Sequence, residues 1–236
     1  MPNPFFRFKQ FTVYHDKCAM KVGTDGVLLG AWTDVEHARR ILDIGTGTGL
    51  IALMLAQRSE ASVLGIDIDE AAVAQARENV ERSVWRNRIV IERKDANLLT
   101  ESQDGAFDVV VSNPPYFTER VGCPDRQRDA ARHTDSLSFE ALLQSVNRVL
   151  AEDGTFSVVL PSGVAADFIA NAACFRLFLR RQTWVHTKPE AAPKRVLMEF
   201  GRTLVECESG HLVVELERHK YSPEYIALTR SFYLQM

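Results

Sequence analysis

The segment Ile41-Leu42-Asp43-Ile44-Gly45-Thr46-Gly47-Thr48-Gly49-Leu50 constrains the fold of this 236-residue chain more than any other. An apolar run enters a glycine-rich turn. It leaves into the periodic stretch Leu50-Ile51-Ala52-Leu53-Met54-Leu55-Ala56, which predicts a strand, a turn and a helix. Glycines allow positive φ and let a ligand approach bare backbone. Their spacing narrows the ligand. A dinucleotide fingerprint reads G-x-G-x-x-G, with a pyrophosphate on the helix N-terminus. Here the third glycine comes one residue early and Leu50 holds the fingerprint position. Asp43 precedes the first glycine by two residues, where it would repel a pyrophosphate. A carboxylate there suits a cation such as an amino-acid ammonium.

The next apolar run, Val63-Leu64-Gly65-Ile66-Asp67, ends in an acid about 20 residues past the first glycine. At that offset a carboxylate grips ribose hydroxyls in doubly wound folds. Asp69 is placed to cap a helix starting near Glu70. A third strand, Ile89-Val90-Ile91-Glu92, leads to Lys94-Asp95-Ala96. Asp95 there either accepts from an adenine amino group or caps a turn. A fourth, Asp108-Val109-Val110-Val111-Ser112, runs into Asn113-Pro114-Pro115-Tyr116. Two prolines fix φ and remove two backbone donors, and Asn113, preceding a proline, is held extended. The product is a stiff ledge with an amide oxygen, a backbone carbonyl and an aromatic face. It suits a planar group bearing an NH₂, which needs two acceptors and a stacking surface. An ammonium, a ribose and an adenine in one site describe S-adenosylmethionine.

Helical periodicity continues over 71–81 and 139–150, and 154–161 reads as a buried strand closed by Pro161. Residues 165–173 read as an alanine-rich helix. Two later strands, near 177–186 and 196–205, contain charged residues and are expected at sheet edges. Val213-Val214-Glu215-Leu216 is expected to add an edge strand or pair with a neighbour. Strands alternating with helices imply a doubly wound, mostly parallel α/β sheet. A hydrophobic content of 46% and no apolar run near ~18 residues fit one globular domain, 1–236, with no membrane span. No signal peptide is read at the start. Cys18, Cys123, Cys174 and Cys207 are widely spaced and form no CxxC, so neither a metal site nor a disulfide framework is expected. A cytoplasmic location follows from the same spacing.

Asp43 to Gly49, Asp67, Asp95 and Asn113-Pro114-Pro115-Tyr116 resemble the ordered motifs of class I S-adenosylmethionine-dependent methyltransferases. The tetrapeptide is similar to that of enzymes methylating amino groups on planar sp² systems, adenine N6 and glutamine N5 among them. The block Phe8 to Asp16, then Cys18-Ala19-Met20-Lys21-Val22-Gly23-Thr24-Asp25 through Trp32, resembles the bacterial tRNA adenine-N6 methyltransferases that modify A37 of the valine tRNA. Pro193-Lys194-Arg195-Val196-Leu197-Met198-Glu199-Phe200 extends the likeness over nearly the whole chain. The resemblance implies a Rossmann-like, seven-stranded sheet. It implies Asp43, Gly45, Gly47, Gly49, Asp67, Asp95, Lys21 and Thr24 at the cofactor and Asn113, Pro114 and Tyr116 at the reacting amine. By its own pattern, 8–16 alternates like a strand and 25–32 begins a helix; residues 1–40 form an extension expected to cover the cofactor and substrate site.

A net charge of −3 disfavours nucleic acid when taken alone, but local distribution governs phosphate binding. Arg120, Arg126, Arg128 and Arg132 follow the ledge, against Glu119, Asp125 and Asp129; Lys194 and Arg195 stand near the other end. These are the expected tRNA contacts. No obligate protein partner is evident. His15 and His133 are the histidines weighed as a general base and read as structural or phosphate-contacting. Glutamine-N5 methylation of a release factor stays open as a rival. A nicotinamide oxidoreductase and a non-catalytic RNA-binding module stay open from other classes.

Overall fold

The computed structural model describes residues 3–17, 21–115 and 137–235. In chain order the elements are β1 (Phe5–Arg7), β2 (Thr12–Tyr14), α1 (Thr24–Trp32), β3 (Arg40–Ile44), α2 (Leu50–Arg58), β4 (Ser62–Asp67), α3 (Glu70–Glu81) and β5 (Ile89–Arg93). There follow α4 (Glu101–Asp104), β6 (Phe107–Ser112), α5 (Phe139–Val149), β7 (Leu150–Pro161), α6 (Ala165–Cys174), β8 (Phe178–His186) and β9 (Arg195–Gly201). The described chain closes with β10 (Glu208–Val213), β11 (Glu215–Glu217), β12 (Lys220–Tyr221) and α7 (Pro223–Thr229).

Eight strands form one sheet in the order β10-β8-β9-β7-β6-β3-β4-β5. β9 runs antiparallel to both its neighbours, and the other pairings are parallel. The seven expected strands are all present, and β10 adds an eighth beside β8. Apolar residues alternate between the two faces of the sheet, as the strand period of two requires. Ile41, Val63, Val109 and Val111 pack with Val27, Leu29, Ile51 and Val73 of α1, α2 and α3. Leu42, Ile44, Ile66 and Val110 pack on the opposite face with Leu142, Val146 and Phe168 of α5 and α6.

The edge positions expected for the strands over 177–186 and 196–205 are corrected. β9 lies between β7 and β8, and β8 is covered by β10. Charge misleads here because the charges answer each other: Glu199 on β9 is 8% exposed and accepts from Arg181 on β8 at 2.8 Å. On that side the edge strand is Glu208–Val213, just ahead of the expected 213–216, and Glu215 beyond it pairs with Tyr221 in the β11–β12 hairpin. The stretch 8–16 is also not one strand. β1 and β2 pair as an antiparallel hairpin, and its turn buries Phe8 against Phe11 with ring centroids 4.6 Å apart.

This hairpin is stitched to α3 by buried polar groups. Asn79 accepts from Tyr14 N and donates to Tyr14 O, each at 2.9 Å. Gln75 accepts from Lys17 N at 2.9 Å, and Lys17 forms an ion pair with Glu78. Asn79 also donates to Thr48 O at 2.9 Å, so one buried amide joins the N-terminal hairpin to the glycine turn.

Candidate active site

The parallel register brings the candidate groups to one line. Ile44 stands opposite Ser112 on β6 and Ile66 on β4, and Ile66 stands opposite Glu92 on β5. One residue further along lie Asn113, Gly45 and Asp67, side by side at the carboxyl edge; Asp95 follows two residues after β5. From β3 the chain winds one way through β4 and β5. From β6 it winds the other way through β7. The crevice between β3 and β6 is thus the topological switch point, where open α/β sheets bind their ligands.

The glycine turn is built for close approach. Gly45, Gly47 and Gly49 adopt φ of 73°, 55° and 78°, left-handed values that side chains strain to reach. A Cβ built on Gly45 or Gly47 would meet nothing within 4 Å, so bare backbone faces open space. The turn is fixed from beneath: Gly45 N and Thr46 N both donate to Ile66 O at 2.9 Å. Asp67 is half-buried at the tip of β4. Its Oδ2 accepts from Gly47 N at 2.9 Å and its Oδ1 from Asp69 N at 3.0 Å. A carboxylate has about four lone-pair positions, so both oxygens keep acceptor capacity toward the crevice. Asp69 caps α3 through Ala71 N, as its position predicted.

Asp43 does not stand in the crevice. It is fully buried; Oδ2 accepts from the Thr46 hydroxyl at 2.7 Å, and Oδ1 has no hydrogen-bond partner among the described residues. The direct ion pair with an ammonium expected from the sequence is corrected to a brace beneath the turn, because a 0%-exposed carboxylate has no surface to offer. Burial pushes its pKa up to about 7. The Thr46 hydroxyl and the Ala52 amide work against that rise, and Asp67 adds to it. A carboxyl whose pKa is raised on folding stabilises the fold below its unfolded value of 3.8 and loses that contribution as pH rises through about 7. Stability is therefore expected to fall between pH 5 and 8 more steeply in this protein than in Asp43→Asn. Urea unfolding of both proteins at the two pH values checks it, and parallel curves would refute it.

Asp95 takes the local role: Oδ1 accepts from Asn97 N at 2.8 Å and from Asn97 Nδ2 at 3.0 Å, capping a short turn. Its Oδ2 remains for a ligand. On the opposite side, Ser112 donates to Ile44 O at 2.9 Å and locks the end of β6 to the end of β3. Asn113 is half-buried, Pro114 buried and Pro115 exposed. The start of α1 comes against this ledge. A Cβ on Gly26 would lie 3.8 Å from Asn113 Nδ2 and 3.1 Å from a Leu50 methyl, so a glycine here lets helix and amide approach.

Thr24 opens α1 and is exposed, as is Lys21 before it. Lys194 is exposed at the start of β9. Arg195, expected on RNA, instead donates from Nε to Asp25 Oδ2 at 2.8 Å and pins α1 to β9. That ion pair gives Arg195 a structural role that its sequence position did not announce. His15 is buried with Nε2 within 2.9 Å of Asn3 O, a structural setting. Tyr116, Arg120, Arg126, Arg128, Arg132 and His133 lie outside the described residues.

Sequence reasoning passed over Asn79, Gln75 and Thr46. Their signal was present in part: Gln75 and Asn79 stand four apart on the stripe of α3 that carries Ala72, Ala76 and Val80 into the core. Polar side chains in a buried stripe need partners.

A carboxyl-edge crevice of this topology, with a bare glycine turn, an acid on the next strand and an Asn-Pro-Pro ledge across the switch point, defines a class I methyltransferase. The chain belongs to the tRNA1(Val) (adenine(37)-N6)-methyltransferase family. It is 56% identical over 236 residues to the protein of that name from Phocaeicola vulgatus, with all of both chains covered. It is 46% identical to that of Yersinia pestis, covering 97% of this chain and 93% of the other. The family model described as "Methyltransferase small domain" matches residues 18–173. Among solved structures, the fold is shared with a predicted O-methyltransferase from Agrobacterium tumefaciens at a TM-score of 0.70 and 21% identity, covering 88% of this chain and 96% of that one. It is shared also with a glycopeptide N-methyltransferase solved with S-adenosyl-L-methionine, at a TM-score of 0.56 and 12% identity, covering 78% and 100%. No helix among the described residues is long and apolar enough to cross a membrane.

Proposed function

We propose that this protein transfers the methyl group of S-adenosylmethionine to N6 of adenosine 37 in the valine tRNA, in the cytoplasm where that tRNA is made and used. The observation that carries the reading is the register that sets Asn113 beside Gly45 and Asp67 across the switch point. The residues fit the cofactor. Gly45 and Gly47 leave room against bare backbone for its amino-acid portion, Asp67 has acceptors for a ribose, and Asp95 Oδ2 has one for an adenine amino group. Lys21 and Thr24, at the entry to α1, are placed near by sequence. The bound cofactor supplies an electrophilic methyl on a sulfonium.

The protein's own part is to present the amine. An aromatic amine is a weak nucleophile because its lone pair is delocalised. Asn113 Oδ1 and the Pro114 carbonyl accept its two N–H groups, and they stabilise positive charge as it develops on nitrogen. Tyr116 stacks on the extruded base. The product proton leaves after transfer, so no general base is required. Arg120, Arg126, Arg128, Arg132 and Lys194 take phosphates.

Residues 1–40 are proposed as an extension of a single domain, 1–236, lying over the cofactor turn. The Tyr14–Asn79–Thr48 linkage and the contact of Gly26 with Leu50 support that placement. The test is tritiated methyl transfer to tRNA from cells lacking the protein, followed by nucleoside analysis. Label recovered as N6-methyladenosine is the expected result. Label in purified release factor but not in tRNA would replace the reading with glutamine-N5 methylation. Label in another nucleoside would refute the roles of Asn113 and Pro114.

A further inference from the structure

The cofactor site proposed above takes the β3–β4–β5 half of the carboxyl edge, which leaves the other half, β6 to β10, for the RNA. β8 and β10 run in the same direction as β6 and β7, because two antiparallel pairings through β9 restore the original sense. Their ends, His186 and Val213, therefore lie on the same edge as Asn113. Two segments cap that edge: the loop from Thr187 to Lys194 and the hairpin of β11 and β12. The hairpin is anchored there by Val214 N to His186 O at 2.8 Å, Glu215 N to Thr187 O at 3.1 Å and Ser222 N to Val214 O at 3.0 Å.

We infer that the β11–β12 hairpin, through Arg218, His219 and Lys220, and with Lys188 of the neighbouring loop, is an outer phosphate-binding arm for the tRNA. The inference rests on the tRNA reading above.

The side chains are free for that task. Arg218, Lys220, Lys188 and Lys194 make no side-chain hydrogen bond or ion pair with any described residue. Three arginines of β8, β9 and the turn after them are tied down instead: Arg181 to Glu199, Arg195 to Asp25 and Arg202 to Asn147. Arg218, His219 and Lys220 are all exposed at the hairpin tip. Glu190, Glu215 and Glu217 lie in the same two segments and are outnumbered by the cations. His219 is held at φ 63°, a left-handed conformation that glycine or asparagine would adopt at less cost. A side chain kept where it strains the backbone points to a use for that side chain. Next to the hairpin tip, Tyr221 is 36% exposed and offers a ring beside the cations.

The spacing suits a second contact. β10 is four strands from β6, about 19 Å at the usual strand separation. That is too far to touch the target base and far enough to engage the backbone several nucleotides away. The hairpin also lies beyond residue 173, outside the segment matched by the general methyltransferase model. A contact there would serve the choice of substrate and leave the chemistry alone.

The experiment compares wild type with Arg218→Ala/Lys220→Ala and with the triple variant adding Lys188→Ala. Initial rates are measured on valine tRNA over a range of salt concentrations. The expected result is a KM for tRNA raised on the order of tenfold near physiological salt, with kcat at saturating tRNA and affinity for S-adenosylmethionine unchanged. The plot of log KM against log salt should flatten by roughly 0.7–0.9 for each phosphate that is no longer neutralised. The substituted side chains are exposed, so thermal midpoints should match wild type and show that the fold is intact. Wild-type KM and salt slope in both variants overturn the inference while the tRNA reading stands. A wild-type enzyme that leaves no label in tRNA overturns the tRNA reading and, with it, the arm.

Discussion

Replacing Asn113 with alanine is expected to lower the rate of methyl transfer by a factor on the order of 10² or more, with affinity for S-adenosylmethionine nearly intact. The amide is held at the end of a strand whose neighbour is locked to it by the Ser112 hydroxyl. It is followed by two prolines that cannot relax toward a helix. Its position relative to the glycine turn is therefore set before any ligand arrives, and an acceptor fixed in advance stabilises charge without reorganising. Alanine removes that acceptor and leaves the ledge, the turn and Asp67 in place. Single-turnover transfer at saturating cofactor measures the chemical loss, and calorimetry measures binding. A large loss of cofactor affinity in the variant would mean that Asn113 is structural.

What the sequence disclosed was whatever depends on near neighbours along the chain. Asp69 caps α3 through an amide two residues away, and its position alone announced that. The strands of the parallel sheet were readable because each is a short apolar run closed by glycine, acid or proline. Depth and distant partners were not readable. Asp43 has the right identity for an ammonium, but its burial comes from a place in the central strand between Gly65 of β4 and Val111 of β6, segments remote in sequence. Arg195 looked available for phosphate because its partner, Asp25, lies 170 residues away in sequence. β9 looked like an edge strand because Glu199 interrupts its apolar run, and only the fold shows that Arg181 neutralises it. Asn79 was invisible for the same reason: it serves Tyr14 and Thr48, remote segments that meet only in the folded chain.

Asp67→Ala is expected to weaken S-adenosylmethionine binding by roughly ten- to a hundredfold, the effect of removing a charge-assisted hydrogen bond of ~1.5–3 kcal/mol. Two causes contribute to that number, and they separate experimentally. Asp67 holds the glycine turn by accepting from Gly47 N and holds its own strand end by accepting from Asp69 N. Its remaining lone pairs are the ones assigned to the ribose hydroxyls. If the turn were the whole effect, the variant would lose the same factor toward any cofactor analogue. If the ribose is gripped, the loss shrinks toward an analogue lacking both ribose hydroxyls, because that ligand never formed the bonds. The coupling between substitution and analogue isolates the hydroxyl interaction from the turn. Calorimetric titration of both proteins with both ligands gives the four affinities. Unchanged affinity of the variant for S-adenosylmethionine would sink the assignment of Asp67 to the cofactor. Equal losses toward both ligands would keep Asp67 as a brace of the turn and remove it from the ribose.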